Sequence, residues 1–240
     1  MNEWLLDLKD EFVMNFITED RWKYLTDGLA VTLEVTLFAL IIGIVLGTLV
    51  AIIRSTHDKN IEDMQGAGKF FLKLANSISN LYLTVIRGTP VTVQLMITYY
   101  IIFAASNNKV LIAILAFGIN SGAYVAEIVR AGIMSIDQGQ FEAGRSLGFN
   151  FVQTMRYIII PQALKNVLPA LANEFIVLLK ETSVSGYVAL QDLTKGGDII
   201  RGRTYSAFMP LIAVAAIYLI LVMFFTWLVK KLERRLRNVE

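Results

Sequence analysis

Apolar residues gather along the chain in five long blocks, about 29–53, 81–103, 110–133, 158–179 and 206–229, divided by more polar stretches. Each block approaches or exceeds the roughly 20 residues that an α-helix needs to cross a hydrocarbon layer of about 30 Å. Lipid offers no partner to an exposed backbone amide, so the pattern predicts an all-α integral membrane protein with five transmembrane helices. Residues 1–28 mix acidic and basic positions and lack the basic start, apolar core and cleavage site of a signal peptide. They are expected to form an amphipathic lead-in, with Trp4, Phe12, Phe16, Trp22 and Tyr24 suited to the membrane interface.

The polar residues inside the blocks carry the next level of meaning. Gly43 and Gly47 form a small-xxx-small pair in the first, suited to close helix packing within the chain or to a subunit contact. A polar connector is expected over 54–79. The second block holds Arg87, Thr89, Pro90 and Gln94, and Pro90 invites a kink. The third holds Asn120, Tyr124 and Glu127, whose four-and-three spacing puts them on one helix face. Arg87 and Glu127 match in depth, which predicts an ion pair unless each reaches water separately. The fourth block is the least apolar, with Gln162, Lys165, Asn166, Asn173 and Glu174, and must turn that stripe toward protein or an aqueous path. Residues 191–205, including KGGDIIRGR, lack the GK[ST] ending of a phosphate loop and are expected to be a turn.

Composition confirms the class: 55% of the 240 residues are hydrophobic. No cysteine is present, which excludes disulfides and thiolate metal sites, and the net charge of +2 matters only through its distribution. No metal constellation and no nucleophile with its base appears, and the one histidine, His57, sits in a connector. Nothing in the sequence suits ATP hydrolysis, a bound cofactor or nucleic acid.

Between the third and fourth blocks lies a polar island, 139–157, with Glu142, Arg145, Asn150, Gln153 and Arg156 beside Phe141, Leu147, Phe149 and Phe151. By itself it reads as a short amphipathic helix lying on headgroups. Its spacing says more: Glu142, Ala143, Gly144, three residues, Gly148, nine residues, Ile158, one residue, Ile160 and Pro161. This resembles the EAA loop of permease subunits of ATP-binding-cassette importers, with Gly144 in place of the usual Ala and Ile160 in place of Leu. The RGTP at 87–90 and the NEFIVLLKETS at 173–183 resemble the polar amino acid branch of that family.

The resemblance implies a type I importer permease fold with a coupling helix that docks on a separate ATPase, drawing on Gly139, Glu142, Ala143, Gly144, Gly148 and Pro161. It also implies two ATP-binding subunits holding the ATP and Mg, a second permease copy or paralogue, and an extracytoplasmic amino-acid-binding protein. The substrate path is expected to involve Arg87, Thr89, Gln94, Asn120, Tyr124, Glu127, Asn173, Glu174, Lys180 and Thr182. The chain itself is expected not to be an enzyme.

Loop charges give an orientation. Arg54, Lys59, Lys69, Lys73, Arg130, Arg145, Arg156 and the bases Lys230, Lys231, Arg234, Arg235 and Arg237 fall on one side. Lys9, Arg21, Lys23, Lys109, Lys195, Arg201 and Arg203 fall on the other. The richer side is expected to be cytoplasmic, putting the N-terminus outside and a basic tail, 231–240, within. Two rival readings are an ion-gradient-driven secondary transporter, which would show repeated halves, and a non-transporting membrane scaffold.

Overall fold

A computed structural model of the chain describes residues 2–62 and 64–237, apart from the side chains of 2–6, 60 and 237. The side chains of Trp4 and Arg237 and the end of the expected basic tail therefore lie outside what is described. The described residues contain helices and turns and no strand. The chain runs α1 (Asn2–Phe12), a wide π turn (Val13–Ile17), a 3-10 turn (Thr18–Asp20), α2 (Trp22–Asn60) and α3 (Gly66–Gly88). It continues through α4 (Val91–Ile97) with a π turn (Thr98–Ile102), α5 (Lys109–Met134), α6 (Gln138–Ser146) and α7 (Phe151–Thr154). A π turn (Met155–Ile159), α8 (Ile160–Glu181), a 3-10 turn (Thr182–Val188), α9 (Leu193–Thr204) and α10 (Phe208–Arg237) complete it.

Several expectations need correction. The connector at 54–79 is mostly helix, because α2 persists to Asn60 and α3 begins at Gly66. The kink expected in the block at 81–103 is present and large, α3 and the helix after it being bent by 108°. The cause is Pro90, which has no N–H and pushes the residue before it out of helical geometry; Thr89 has φ −124° and ψ 147°. Three helices, α2, α5 and α10, are long and apolar enough to cross a membrane, and the bent pair supplies a fourth if it is one span. α8 falls short of that apolarity because of the charged and amide side chains already noted in its sequence.

The stretch 191–205 is not a turn but carries the twelve-residue α9. Its glycines serve packing: a Cβ on Gly196 would collide with the Tyr24 carbonyl oxygen, and one on Gly197 with Val214 Cγ2. Asp192 caps the helix, accepting from the backbone N–H groups of Lys195 at 3.0 Å and Thr194 at 3.2 Å.

Two compact units are formed. One comprises residues up to 39, 91–117 and 176–227. Phe16, Leu25, Leu193, Ile200 and Val214 form a core there. Thr204 Oγ1 donates to Asn15 Oδ1 at 2.8 Å, and the Leu193 N–H donates to Thr32 Oγ1 at 3.1 Å. These bonds tie α9 to the N-terminal segment and to α2.

The other unit comprises 40–90, 118–175 and the chain from 228 onward. Gly43 and Gly47 let α5 approach α2 closely. A Cβ at Gly43 would lie 2.9 Å from Ser121 Oγ, and one at Gly47 2.7 Å from the Gly122 carbonyl and from Val125. The small-xxx-small pair is thus used for packing within the chain. Val50, Leu83, Ala123 and Ala126 form one core, while Ile133, Phe141, Ile159 and Ala163 form another beneath α6.

Candidate functional site

The polar island folds into two short helices whose ends are determined by local sequence. Asp137 caps α6 and accepts from the Gly139 N–H at 2.7 Å. At the other end, Gly148 has φ +78°, a conformation that favours glycine. Its N–H donates to the Arg145 carbonyl at 2.9 Å, and the Phe149 N–H reaches back to the Gly144 carbonyl at 3.0 Å. That pair of bonds is a Schellman cap. Asn150 and Gln153 then exchange side-chain-to-backbone bonds as the capping box of α7.

Gly144 is buried against α7, and a Cβ there would lie 2.7 Å from both Thr154 Cγ2 and Oγ1. The departure from Ala is therefore a packing choice: the two short helices touch at this point. Phe141 is also buried, with Lys59 Nζ 3.0 Å above its ring. Lys59, Phe141, Arg145 and Thr154 share a cavity of about 480 Å³. Glu142, Ala143, Leu147 and Val152 remain exposed, giving the island an outward face of mixed charge and apolar surface.

Glu127 is the centre of a second cluster. Arg54 Nη1 donates to Glu127 Oε1 at 3.0 Å, and Arg87 Nη1 lies 3.5 Å from the same oxygen. Arg130 reaches Glu127 Oε2 at 3.6 Å and Asp58 at 3.4 Å. The Arg87 to Glu127 pair is present, but sequence reasoning missed that two further arginines share the carboxylate. In the sequence Arg54 and Arg130 count only among the basic residues of the richer side, and only helix-by-helix depth matching could flag them as partners of Glu127. Arg87 is the looser arm, its side chain 46% exposed against 20% for Arg54. Its guanidinium also lies 5.9 Å from the Tyr124 ring centre. Arg54, Asn80, Thr84, Arg87 and Glu127 line a cavity of about 460 Å³.

The remaining path candidates are dispersed. Glu174 is buried at 8% exposure and accepts from Ser121 Oγ at 2.8 Å, while Asn120 is buried nearby on α5. Thr182 is fully buried and donates to the Leu179 carbonyl, and Thr89 donates to the Val85 carbonyl. Gln94 is half-buried, whereas Asn173 and Lys180 are exposed. Arg87, Tyr124 and Glu127 are brought together, with Asn120 and Glu174 in the same unit; Gln94, Lys180 and Thr182 belong to the other. Among the described residues no group of acidic, histidine or cysteine side chains could hold a metal ion.

A bundle of apolar helices interrupted by a capped, outward-facing EAA island is the form of an importer permease. Residues 66–238 match the family described as the binding-protein-dependent transport system inner membrane component, and the chain belongs to that family. Among its relatives, the putative glutamine transport system permease protein GlnP of Rickettsia typhi is 36% identical over 216 residues, covering 89% of this chain and 93% of that protein. The arginine transport system permease protein ArtQ of Bacillus subtilis is 35% identical over 219 residues, covering 90% and 93%. A crystal structure of an amino acid ABC transporter with histidines superposes with a TM-score of 0.79 at 40% identity, covering 92% of this chain and 98% of that one. An inward-facing structure of the MetNI methionine ABC transporter matches the fold with a TM-score of 0.75 at 21% identity, covering 90% and 97%. The chain is thus a multi-pass membrane permease component of an amino acid ABC transporter, with the type I permease fold.

Proposed function

We propose that this permease imports a polar amino acid and takes its driving force from a separate ATPase gripped through α6. The observation that carries this reading is the form of the island: α6 is capped at both ends, anchored inward by Phe141 and Gly144, and leaves Glu142, Ala143 and Leu147 free on its outer face. A helix held in this way transmits a push as a rigid body rather than fraying under it. Gly139, Gly148 and Pro161 support the same function through the backbone, as the capped first turn, the stop and the entry into α8. ATP and Mg belong to the two ATP-binding subunits. A second permease copy or paralogue completes the membrane part, and an extracytoplasmic amino-acid-binding protein delivers the cargo.

The orientation follows the basic residues, with the N-terminus outside and α6 and the C-terminus in the cytoplasm. Along the path, Arg87, Tyr124, Asn173 and Lys180 are the open groups suited to touch an amino acid. Asn120, Glu127, Glu174, Thr89, Gln94 and Thr182 hold the helices that carry them. Relatives named for glutamine and for arginine transport favour a polar amino acid as cargo.

The test is a cross-link. The chain has no cysteine, so Ala143→Cys introduces a unique thiol in this chain on the exposed face of α6. Expected is a bond to a single cysteine in the groove of the co-expressed ATPase, with yield that changes on ATP addition. A thiol that never meets the ATPase while uptake continues would sink the coupling reading.

A further inference from the structure

The geometry points to a second amino acid site, built by one face of α8 and the end of α10, that receives the zwitterionic head of an α-amino acid from the cytoplasm. Gln162, Lys165, Asn166 and Pro169 fall three and four residues apart on α8, so they share a face. With Ile136, Glu233 and Leu236 they line an open cavity of about 400 Å³. That volume is within the roughly 300–1,000 Å³ range of small-molecule pockets.

The lining has the charges of an amino acid in reverse. Lys165 and Glu233 are half-buried, and neither has an ion-pair partner among the described residues. The ammonium of Lys165 suits an α-carboxylate and the carboxylate of Glu233 suits an α-ammonium. Pro169 adds an acceptor, because it has no N–H to give the Lys165 carbonyl one turn before it. The amides are already oriented: Asn166 Nδ2 donates to Ser135 Oγ at 2.9 Å, and Gln162 Nε2 donates to the Ile158 carbonyl at 2.9 Å. Those bonds use the N–H ends and turn the amide oxygens to acceptor duty. Ile136 and Leu236 offer an apolar wall to the ligand's side chain.

None of these residues belongs to the substrate path or to the outer face of α6. The site rests on the reading of the chain as an amino acid permease with this end in the cytoplasm, and its test separates the two. In the intact transporter, reconstituted so that the cytoplasmic face is accessible, Leu236→Cys gives this chain a single thiol at the cavity wall. Its alkylation by a maleimide is followed on the permease band. L-Glutamine or L-arginine at about ten times its dissociation constant should slow alkylation about tenfold, the factor 1 + [L]/Kd. Agmatine, which lacks the carboxylate, should leave the rate unchanged, and Lys165→Gln or Glu233→Gln should abolish protection by either amino acid. Ile136→Cys serves equally if Leu236→Cys fails to assemble. No protection by these two amino acids, equal protection by agmatine, or protection that survives both substitutions overturns the site. Uptake by the same preparation reports on the permease reading, so intact uptake without protection removes the site alone.

Discussion

Single residues in the polar island show how closely its geometry is determined. Gly144 faces Thr154 with no room for a methyl group. Gly144→Ala should therefore destabilise the contact by about 1–3 kcal/mol, as overpacking does. Thr154→Ala in the same chain should recover most of the lost assembly, measured as the yield of intact transporter after heating. The glycine itself was legible in the sequence, but only as a departure from the family pattern with a helix-propensity cost. Its partner lies ten residues on, beyond a turn, where no periodicity points. Gly148 was legible by position, and its reason, the positive φ of a Schellman cap, came with the backbone.

Asp192 makes the opposite point. It lies in the Gly-rich stretch that pattern reading took for a turn, yet it is buried and caps α9. Burial pushes its carboxyl above the usual carboxylate range, against the pull of the two backbone N–H donors. Because the folded state disfavours the charge, the contribution is fully present below the ordinary carboxylate value and is lost as pH rises from there through the raised folded one. Asp192→Asn removes the charge but keeps only one of the two acceptor oxygens, so at neutral pH it should lower the unfolding temperature less than loss of the whole cap does. Asp192→Ala loses the cap and should cost about 1 kcal/mol, read as a lower unfolding temperature.

At the scale of elements, α9 is the clearest gain over the sequence. Its glycines read as turn formers because three of its twelve residues lack side chains, and only the close approach of Tyr24 and Val214 explains Gly196 and Gly197. Lys195 and Arg201 hold the Asp198 carboxyl below the usual range. The stability this gives α9 is present above the unfolded carboxylate value and is lost as pH falls through the folded one. Asp198→Asn should therefore flatten the acid limb of a melting profile of the transporter, and high salt should do the same to the native chain because the group is partly exposed. The break at Thr89–Pro90 was foreseen as a kink, but its 108° was not, since a proline signals the missing bond and packing decides the angle.

At the scale of the molecule, the five apolar blocks announced a membrane protein and the EAA spacing announced its family. The number of crossings was less legible. The fourth block, counted among the five crossings, becomes α8, whose polar stripe keeps it below the apolarity of the other long helices, with Glu174 hidden against Ser121, and the α3–α4 pair is folded at its middle. Orientation is open to a direct check at Tyr205, which is 95% exposed after α9. Tyr205→Cys should react with a membrane-impermeant maleimide on intact cells, and reaction only after lysis would invert the topology.

The central claim is that α6 conveys the work of a separate ATPase into this bundle, and Glu142, exposed on its outer face, is where that claim is most exposed to test. ATP-driven amino acid uptake by vesicles carrying Glu142→Lys measures it most directly. Uptake and stimulated ATP hydrolysis should both be abolished while the chain still inserts in the membrane at normal level. Uptake at the unsubstituted rate would contradict the account.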